Sequence, residues 1–266
     1  MNLAFSTLGC PDYTFEEIIK CAEKYGVSGI EIRGINSAME ADKIEEFVDA
    51  DKTKALIKKQ GLTITDFGTS CAFHDDTGYD QAVREGRSAV DVCERMEIPY
   101  IRVFGNDITD CREAVIKNII RGIGGLCEYA KDKNVGILLE THGDFATVEN
   151  LCPVVEALKE HENFGILWDV EHSDKAYGDN WQEFYNYIGP YVKHVHLKDY
   201  KRAKEGKPFV LTLAGKGDIP LAHIVRTLLA DGYTGYFSLE WEKKWKPELP
   251  EFTVAMDSFV ETMNKI

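Results

Sequence analysis

One stretch of the sequence reads Val192-Lys193-His194-Val195-His196-Leu197-Lys198-Asp199-Tyr200. In a β-strand, the side-chain period of two would place His194 and His196 on one face and the apolar Val195 and Leu197 on the other. Three further apolar runs end in a carboxylate: Ile137-Leu138-Leu139-Glu140, Ile166-Leu167-Trp168-Asp169 and Tyr236-Phe237-Ser238-Leu239-Glu240. The pattern indicates four parallel strands whose ends meet around one metal ion.

The rest of the chain alternates between short β-rich runs and amphipathic segments, which is typical of a parallel sheet with crossover helices. The first helix is marked by Thr14 and Glu17, which have capping-box spacing, and by Gly26 at its end. Strands are predicted at about 1–6, 29–33, 63–67, 100–104, 135–140, 165–169, 192–197 and 235–240. Helices are predicted at about 15–25, 41–60, 79–96, 110–133, 147–159, 181–187, 220–230 and 252–264. Eight strands alternating with eight helices predict a (β/α)8 TIM barrel, with residues 1–266 in a single domain.

The composition limits the classes of protein to consider. No apolar run approaches the ~20 residues of a membrane span, so a membrane protein is excluded. The formal charge of -14 argues against a nucleic-acid partner, because such binding depends on basic patches. A small neutral substrate, or a monophosphate held by local Lys or Arg, is compatible with that charge. Seven cysteines without a CxxC pair, and an N-terminus without signal-peptide features, predict a cytoplasmic protein with reduced thiols.

The four polar strand ends predict the functional site. Glu140, Asp169, His196 and Glu240 occupy the C-terminal ends of predicted strands five to eight, which are neighbours in a barrel. Mixed carboxylate and imidazole ligands suit one divalent ion, namely Mn²⁺, Mg²⁺, Co²⁺ or Zn²⁺. Each residue alone is explained at least as well as a solvated side chain or a helix N-cap. The prediction therefore depends on their joint placement.

Other polar residues lie close to these ends. His194 faces the same side as His196 but deeper, so we expect it to pack beside a ligand or to orient one. His142 and His172 lie in the loops after Glu140 and Asp169, where they either contact a substrate or hydrogen-bond the backbone. Three charged residues lie in earlier predicted strands or at their ends: Glu31, Arg33 and Arg102. They are either site residues or structural charges inside the barrel.

The longest irregular segment, residues 198–218, follows the strand that carries both histidines. A loop of that length in a compact domain is usually functional. It contains a basic cluster that either steers a phosphorylated substrate or forms a solvated charged loop: Lys198, Lys201, Arg202, Lys204 and Lys207.

These motifs together resemble the sugar phosphate isomerase/epimerase family of xylose isomerase-like TIM barrels, within the AP endonuclease 2 superfamily. That group includes ketose 3-epimerases, hydroxypyruvate isomerases and inosose dehydratases, and more distantly endonuclease IV. The resemblance covers almost the whole chain. It is carried by residues 6–11, 29–34, 140–143, 168–169 with His172, 194–199, 215–218 and 238–242.

The resemblance implies that Glu140, Asp169, His196 and Glu240 hold a divalent metal. It also implies that His172 and Arg202 face substrate oxygens, and we expect His142 and Lys198 to contact the substrate as well. One departure is Ala146, which stands where the epimerases place a second glutamate. Another is the Lys198-Asp199 pair, which is more similar to the inosose dehydratase branch. Seven histidines in an acidic chain are too few for the trinuclear zinc cluster of endonuclease IV.

The implied chemistry begins with the metal chelating a carbonyl oxygen and the neighbouring hydroxyl of an open-chain sugar or sugar phosphate. A cis-enediolate would form, with Glu140 and Glu240 as catalytic acid and base on opposite faces. Proton return would complete an epimerisation or an isomerisation. In an inosose dehydratase-like lyase the same intermediate would expel a hydroxyl, with His172 as the acid. A third alternative is a non-catalytic sugar- or metal-binding barrel.

The expected partner is a small carbohydrate, and a homodimer or homotetramer is compatible with the resemblance.

Overall fold

The computed structural model describes residues 1–109, 111–203 and 209–266. Eight parallel strands close into a barrel: β1 (Asn2–Ser6), β2 (Gly29–Ile32), β3 (Thr63–Ala72), β4 (Tyr100–Phe104), β5 (Gly136–Glu140), β6 (Phe164–Asp169), β7 (Val192–Leu197) and β10 (Tyr236–Leu239). Strands β1 to β7 are paired in chain order, and β10 lies between β7 and β1. The predicted single-domain TIM barrel is therefore confirmed.

Helices surround this barrel: α1 (Phe15–Tyr25), α2 (Ala50–Lys59), α3 (Tyr79–Met96), α4 (Arg112–Ala130), α5 (Val148–Leu158), α6 (Val170–Tyr177), α7 (Trp181–Ile188), α8 (Leu221–Ala230) and α9 (Phe252–Met263). The predicted capping box is present at the start of α1. Thr14 Oγ1 accepts from the Glu17 amide at 3.3 Å, and Glu17 Oε2 accepts from the Thr14 amide at 2.8 Å. Gly26 ends the helix with φ 64°, a left-handed conformation that favours glycine.

The predicted helix at 41–60 is wrong in its first half. Two 3₁₀ turns, Ala41–Lys43 and Glu45–Phe47, precede α2. The start of α2 is set by Asp49, whose carboxylate accepts from the Lys52 amide at 3.2 Å. Phe47 is buried before that cap, so the chain packs its apolar residues without a continuous helix. The predicted helix at 110–133 is observed as α4, and Asp110 lies outside the described residues.

Helix α6 is absent from the sequence prediction. It follows β6 directly because the Asp169 carboxylate caps it, accepting from the amides of Glu171 at 2.8 Å and His172 at 3.2 Å. His172 therefore lies in the first turn of a helix, and its predicted place in a loop is wrong. The long segment after β7 also has regular structure, because β8 (Asp199–Lys201) and β9 (Val210–Thr212) pair antiparallel. Of the predicted basic cluster, Lys204 and Lys207 lie outside the described residues.

The apolar faces of the helices cover the barrel strands in one continuous core. Inside the barrel, the C-terminal half is polar and carries Glu31, Asp66, His194 and His196, all fully buried. Buried ionisable side chains need partners, so this layer sets the electrostatics of the barrel mouth. No helix within the described ranges is long and apolar enough to cross a membrane.

Candidate metal centre

Four side chains converge at the C-terminal edge of the barrel. Glu140 and Asp169 are the last residues of β5 and β6, His196 lies in β7, and Glu240 directly follows β10. The β6–β7 register pairs Asp169 with His196. One donor atom from each of the four residues lies within 4.8 Å of the other three, and no side chain is more than 7% exposed. The strands that sequence reasoning selected thus bring their polar ends together.

The His196 ring is oriented by a carboxylate on each side. Its Nε2 is 2.9 Å from Glu31 Oε2. Its Nδ1 is 3.3 Å from Glu240 Oε2, 3.7 Å from Glu140 Oε1 and 3.8 Å from Asp169 Oδ2. Among the described residues, Nδ1 has no hydrogen-bond partner of good geometry. An imidazole nitrogen aimed at three carboxylates is a donor set that fits a divalent cation.

Behind His196 the polar network continues into the barrel. Glu31 Oε2 is also 3.1 Å from His194 Nε2, which in turn is 3.4 Å from Asp66 Oδ1. Burial raises the pKa of Asp66 to about 6. Burial alone would also raise the pKa of the Glu31 carboxyl, but His196 and His194 hold that pKa well below the usual value. Glu31 is thus a carboxylate shared by two imidazoles, an arrangement that fixes ring orientation in metal sites.

Two buried cations contact the outer carboxylates. Arg102 Nε is 2.9 Å from Glu140 Oε2, and Arg102 also donates to the Thr69 carbonyl at 2.8 Å. Lys198 Nζ lies 2.7 Å from Asp169 Oδ2, 2.6 Å from Glu240 Oε2 and 3.1 Å from Glu242 Oε1. These contacts hold the carboxylates in fixed positions and compensate part of their charge.

The protonation states follow from these neighbours. Burial alone would raise the pKa of Glu140, but Arg102 and His196 lower it below its usual value. At Glu240, His196 and Lys198 likewise outweigh burial and hold the pKa well below the ordinary range. Burial would lower the pKa of Lys198, yet Asp169 and Glu240 raise it well above normal. At neutral pH the site therefore contains carboxylates and an ammonium group.

Two histidines line one side of this mouth. The rings of His142 and His172 lie 3.9 Å apart between centroids, and His142 also contacts Phe104 edge-on at 5.0 Å. His172 Nδ1 accepts from the Gly143 amide at 3.4 Å. Burial is the main reason that the pKa of His172 is lowered, so its ring is neutral near pH 7. The sequence-predicted pair is thus brought together beside the ends of β5 and β6.

Arg202 is held by α6 and the turn that follows it. Its Nε and NH2 atoms contact the Asp174 carboxylate at 3.0 and 2.7 Å, and its NH1 atom contacts Asp179 at 2.7 Å. Tyr200 donates its hydroxyl to the same Asp174 carboxylate at 2.7 Å. These bonds attach the β8–β9 hairpin to α6. A contact between Arg202 and substrate stays a prediction.

Sequence reasoning left Glu31 and Arg102 undecided and did not consider Asp66. Their signal is weak, because each is a single charge in a short β-run. The clue for Glu31 is its place between Ile30 and Ile32, where a strand alternation directs it into the barrel. Its two histidine partners lie more than 160 positions later in the chain.

The family comparison agrees with the fold. Residues 19–259 match the family model described as xylose isomerase-like TIM barrel, AP endonuclease 2. The chain therefore belongs to that family. Among curated proteins, the comparison found no match.

Solved structures of other proteins share this architecture. One is the probable 3-DHS dehydratase AsbF of Bacillus anthracis, with 18% identity, a TM-score of 0.79, and 99% of this chain and 98% of that chain covered. A second is the IOLI protein with a bound zinc atom, with 18% identity, a TM-score of 0.79, and 100% and 99% covered. A third is the 3-keto-D-glucoside 4-epimerase YcjR of E. coli, with 15% identity, a TM-score of 0.75, and 99% of each chain covered. At such identities the likeness concerns the fold alone.

Proposed function

We propose that the protein is a divalent-metal-dependent isomerase or epimerase of a sugar or sugar phosphate. The observation that carries the proposal is the group of three carboxylates and one imidazole, whose donor atoms all lie within 4.8 Å at the barrel mouth. Glu140, Asp169, His196 and Glu240 would hold the ion. Manganese, magnesium, cobalt and zinc all suit this donor set.

When held by these four residues, a divalent ion would supply Lewis-acid polarisation of a substrate carbonyl and its neighbouring hydroxyl, and this would acidify the carbon-bound proton between them. Glu140 and Glu240 extend from strands that have β6 and β7 between them, so they reach the substrate from different sides. One carboxylate removes the proton, and the other returns a proton that it has first gained from solvent. Return to the opposite face gives an epimer, whereas return to the adjacent carbon interconverts an aldose and a ketose.

The neighbouring cations prepare both glutamates for the first step. Arg102 at 2.9 Å from Glu140 and Lys198 at 2.6 Å from Glu240 favour the ionised forms, which can accept a proton. His142 and His172 are proposed to position substrate hydroxyl groups, since their paired rings line the same side of the mouth. Arg202 could contact the substrate as well only after its ion pair with Asp174 is broken.

Occupation of the site requires a change in His196. Burial would lower the pKa of this ring, but Glu240 and Glu31 raise it well above its ordinary value. A metal ligand must be unprotonated at the coordinating nitrogen, so ion uptake would release one proton from His196. Metal affinity should therefore increase with pH.

A dehydratase is the second candidate function, because Lys198 supplies an additional acid. Its ammonium group lies within 2.7 Å of both Asp169 and Glu240, where it could protonate a departing hydroxyl. His172, neutral at pH 7, would have to gain a proton first. The two candidate reactions share proton removal and differ in the fate of the resulting enediolate.

The test is incubation with Mn²⁺ and a panel of ketoses and inososes in D₂O, followed by NMR and mass spectrometry. An isomerase or epimerase incorporates deuterium without loss of water, whereas a dehydratase yields an enone. Exchange with none of these compounds would count against both reactions. Glu240→Gln tests the role of Glu240 as an acid or base. If this variant binds metal and still turns over substrate, Glu240 does not have that role.

A further inference from the structure

Arg33 is a buried cation without a carboxylate partner. It directly follows β2, and only 7% of its surface is exposed. Its NH2 atom donates to Ser70 Oγ at 2.9 Å, while NH1 is buried without an acceptor among the described residues. Within the same described ranges, no carboxylate oxygen lies within 4.0 Å of its guanidinium. Such a charge is costly to bury unless a partner arrives.

Arg102 provides the internal comparison. Both arginine side chains lie against Gly68, where an added Cβ would be 2.8 Å from Arg102 NH2 and 2.9 Å from Arg33 Cδ. Arg102 is compensated by Glu140 at 2.9 Å, whereas Arg33 is not. Burial and the charge of Arg102 lower the pKa of Arg33 to about 10, so it remains a cation at neutral pH.

The position of Arg33 connects it to the proposed site. β2 adjoins β1, which adjoins β10 and hence Glu240. Glu240, Glu85 and Glu140 favour the charged form of Arg33 electrostatically, and two of these three carboxylates are proposed metal ligands. Arg33 also borders a narrow cleft with Thr7, Ser37 and Lys244. Within the described part of the chain, Lys244 likewise lacks a carboxylate within 4.0 Å, so two unpaired cations border one cleft of an acidic protein.

We infer that Arg33 binds a carboxylate group of the substrate, so that the sugar on which this site acts is an acid. The inference rests on the proposed function and specifies its substrate class. A planar carboxylate can accept two parallel hydrogen bonds from a guanidinium.

The test compares the binding of D-gluconate and D-glucitol, two open-chain polyols that differ at the carboxylate. Isothermal titration calorimetry is performed on Mn²⁺-loaded and metal-free protein. Wild type should bind gluconate about tenfold more tightly than glucitol, as expected for a charge-assisted hydrogen-bonded pair. Arg33→Gln should abolish this preference, and Arg33→Lys should restore part of it.

Arg95→Gln is the matched control, because Arg95 is exposed at the end of α3 and, among the described residues, hydrogen-bonds only the carbonyl of Asp91 in its own helix. It removes the same charge and should leave the preference intact. Equal binding of both polyols to wild type, lack of gluconate binding, or a preference that persists in Arg33→Gln would overturn the inference. Mn²⁺ binding is measured separately. If Mn²⁺ does not bind, the metal-dependent function is refuted. The titration of metal-free protein would still test whether Arg33 binds the carboxylate.

Arg33→Gln also separates binding from folding. An unpaired buried charge contributes no ion pair, so its removal should leave the thermal midpoint unchanged or raised. A large decrease in the midpoint of Arg33→Gln, combined with unchanged selectivity of the folded fraction, would assign Arg33 a structural role instead.

Discussion

At the scale of single residues, Glu31 decides which nitrogen of His196 faces the carboxylates. Its Oε2 is 2.9 Å from Nε2, so Nε2 keeps its proton when Nδ1 releases one, and the lone pair of Nδ1 is then directed at Glu240, Glu140 and Asp169. Carboxylates of this kind typically affect metal affinity by 10–100-fold. Glu31 is therefore the residue through which the barrel interior should influence the proposed metal centre.

We expect Glu31→Gln to weaken Mn²⁺ binding by roughly 10-fold or more, because a neutral amide orients and polarises the His196 ring less well than a carboxylate. The measurement is equilibrium dialysis at pH 7.5. Glu16→Gln, on the exposed surface of α1, serves as the control. Unchanged affinity in a folded Glu31→Gln protein would show that His196 is oriented without Glu31.

The sequence and the structure agree best on the positions of Glu140, Asp169, His196 and Glu240, whose role as ligands stays a prediction. Glu140, Asp169 and Glu240 each end an apolar run, and such local patterns are visible without knowledge of the fold. The Glu31 network was not predictable, because its contacts to His194 and His196 exist only after the barrel closes across β2 and β7.

At the scale of elements, Asp199 organises the segment that follows β7. Its carboxylate accepts from four backbone amides, those of Tyr200 at 2.9 Å, Gly215 at 2.9 Å, Gly217 at 2.8 Å and Ile219 at 3.2 Å. One buried carboxylate thereby joins both ends of the hairpin segment. The same element carries Arg202, which attaches it to Asp174 of α6.

Gly217→Ala should destabilise this segment. The added Cβ would meet the Asp199 carboxylate and would lie 2.7 Å from the Tyr200 amide nitrogen, so the backbone must move away from its hydrogen bonds. We expect a loss of about 1–3 kcal/mol in the free energy of unfolding, measured with urea. Gly125→Ala is the control, because Gly125 occupies an exposed position of α4 and, among the described residues, nothing outside its own helix lies within 4 Å of an added Cβ. It should stabilise the protein by up to ~1 kcal/mol. Equal stability of wild type and Gly217→Ala would contradict the role given to Asp199.

Element prediction failed where a side chain, and not hydrophobic periodicity, set a boundary. Asp169 both ends β6 and caps α6, so a residue interpreted as a ligand also starts a helix. Asp49 similarly starts α2 well inside the predicted helix. In contrast, Thr14 and Gly26 bound α1 by local chemistry, and that helix was predicted correctly.

At the scale of the whole molecule, the (β/α)8 fold was predictable because strand and helix patterns alternate along the chain. The closure of β1 on β10 places the first and last parts of the barrel side by side. Closure of the barrel also places buried acidic side chains around its mouth, in a protein whose formal net charge is -14. Binding of a divalent cation there should stabilise the folded state as a whole.

We expect Mn²⁺ at 100 times its dissociation constant to add about 2.7 kcal/mol to the free energy of unfolding, by preferential binding to the native state. For a chain of this size that corresponds to an increase of roughly 5–10 °C in the thermal midpoint. Differential scanning calorimetry before and after dialysis against EDTA measures the effect. Tight Mn²⁺ binding without any increase in the midpoint would mean that the unfolded chain binds the ion as well as the folded protein does, which would contradict a site built by the fold.

The position of Lys198 has a practical consequence for handling the protein. Its ammonium group contacts Asp169 and Glu240, the same carboxylates that we propose for the ion, and so acts as an internal counter-ion. We therefore expect the barrel to stay intact when the protein is expressed, purified and stored in chelating buffer. Different metals can then be added to samples of one metal-free preparation, so that the affinities of the protein for these metals are compared without refolding.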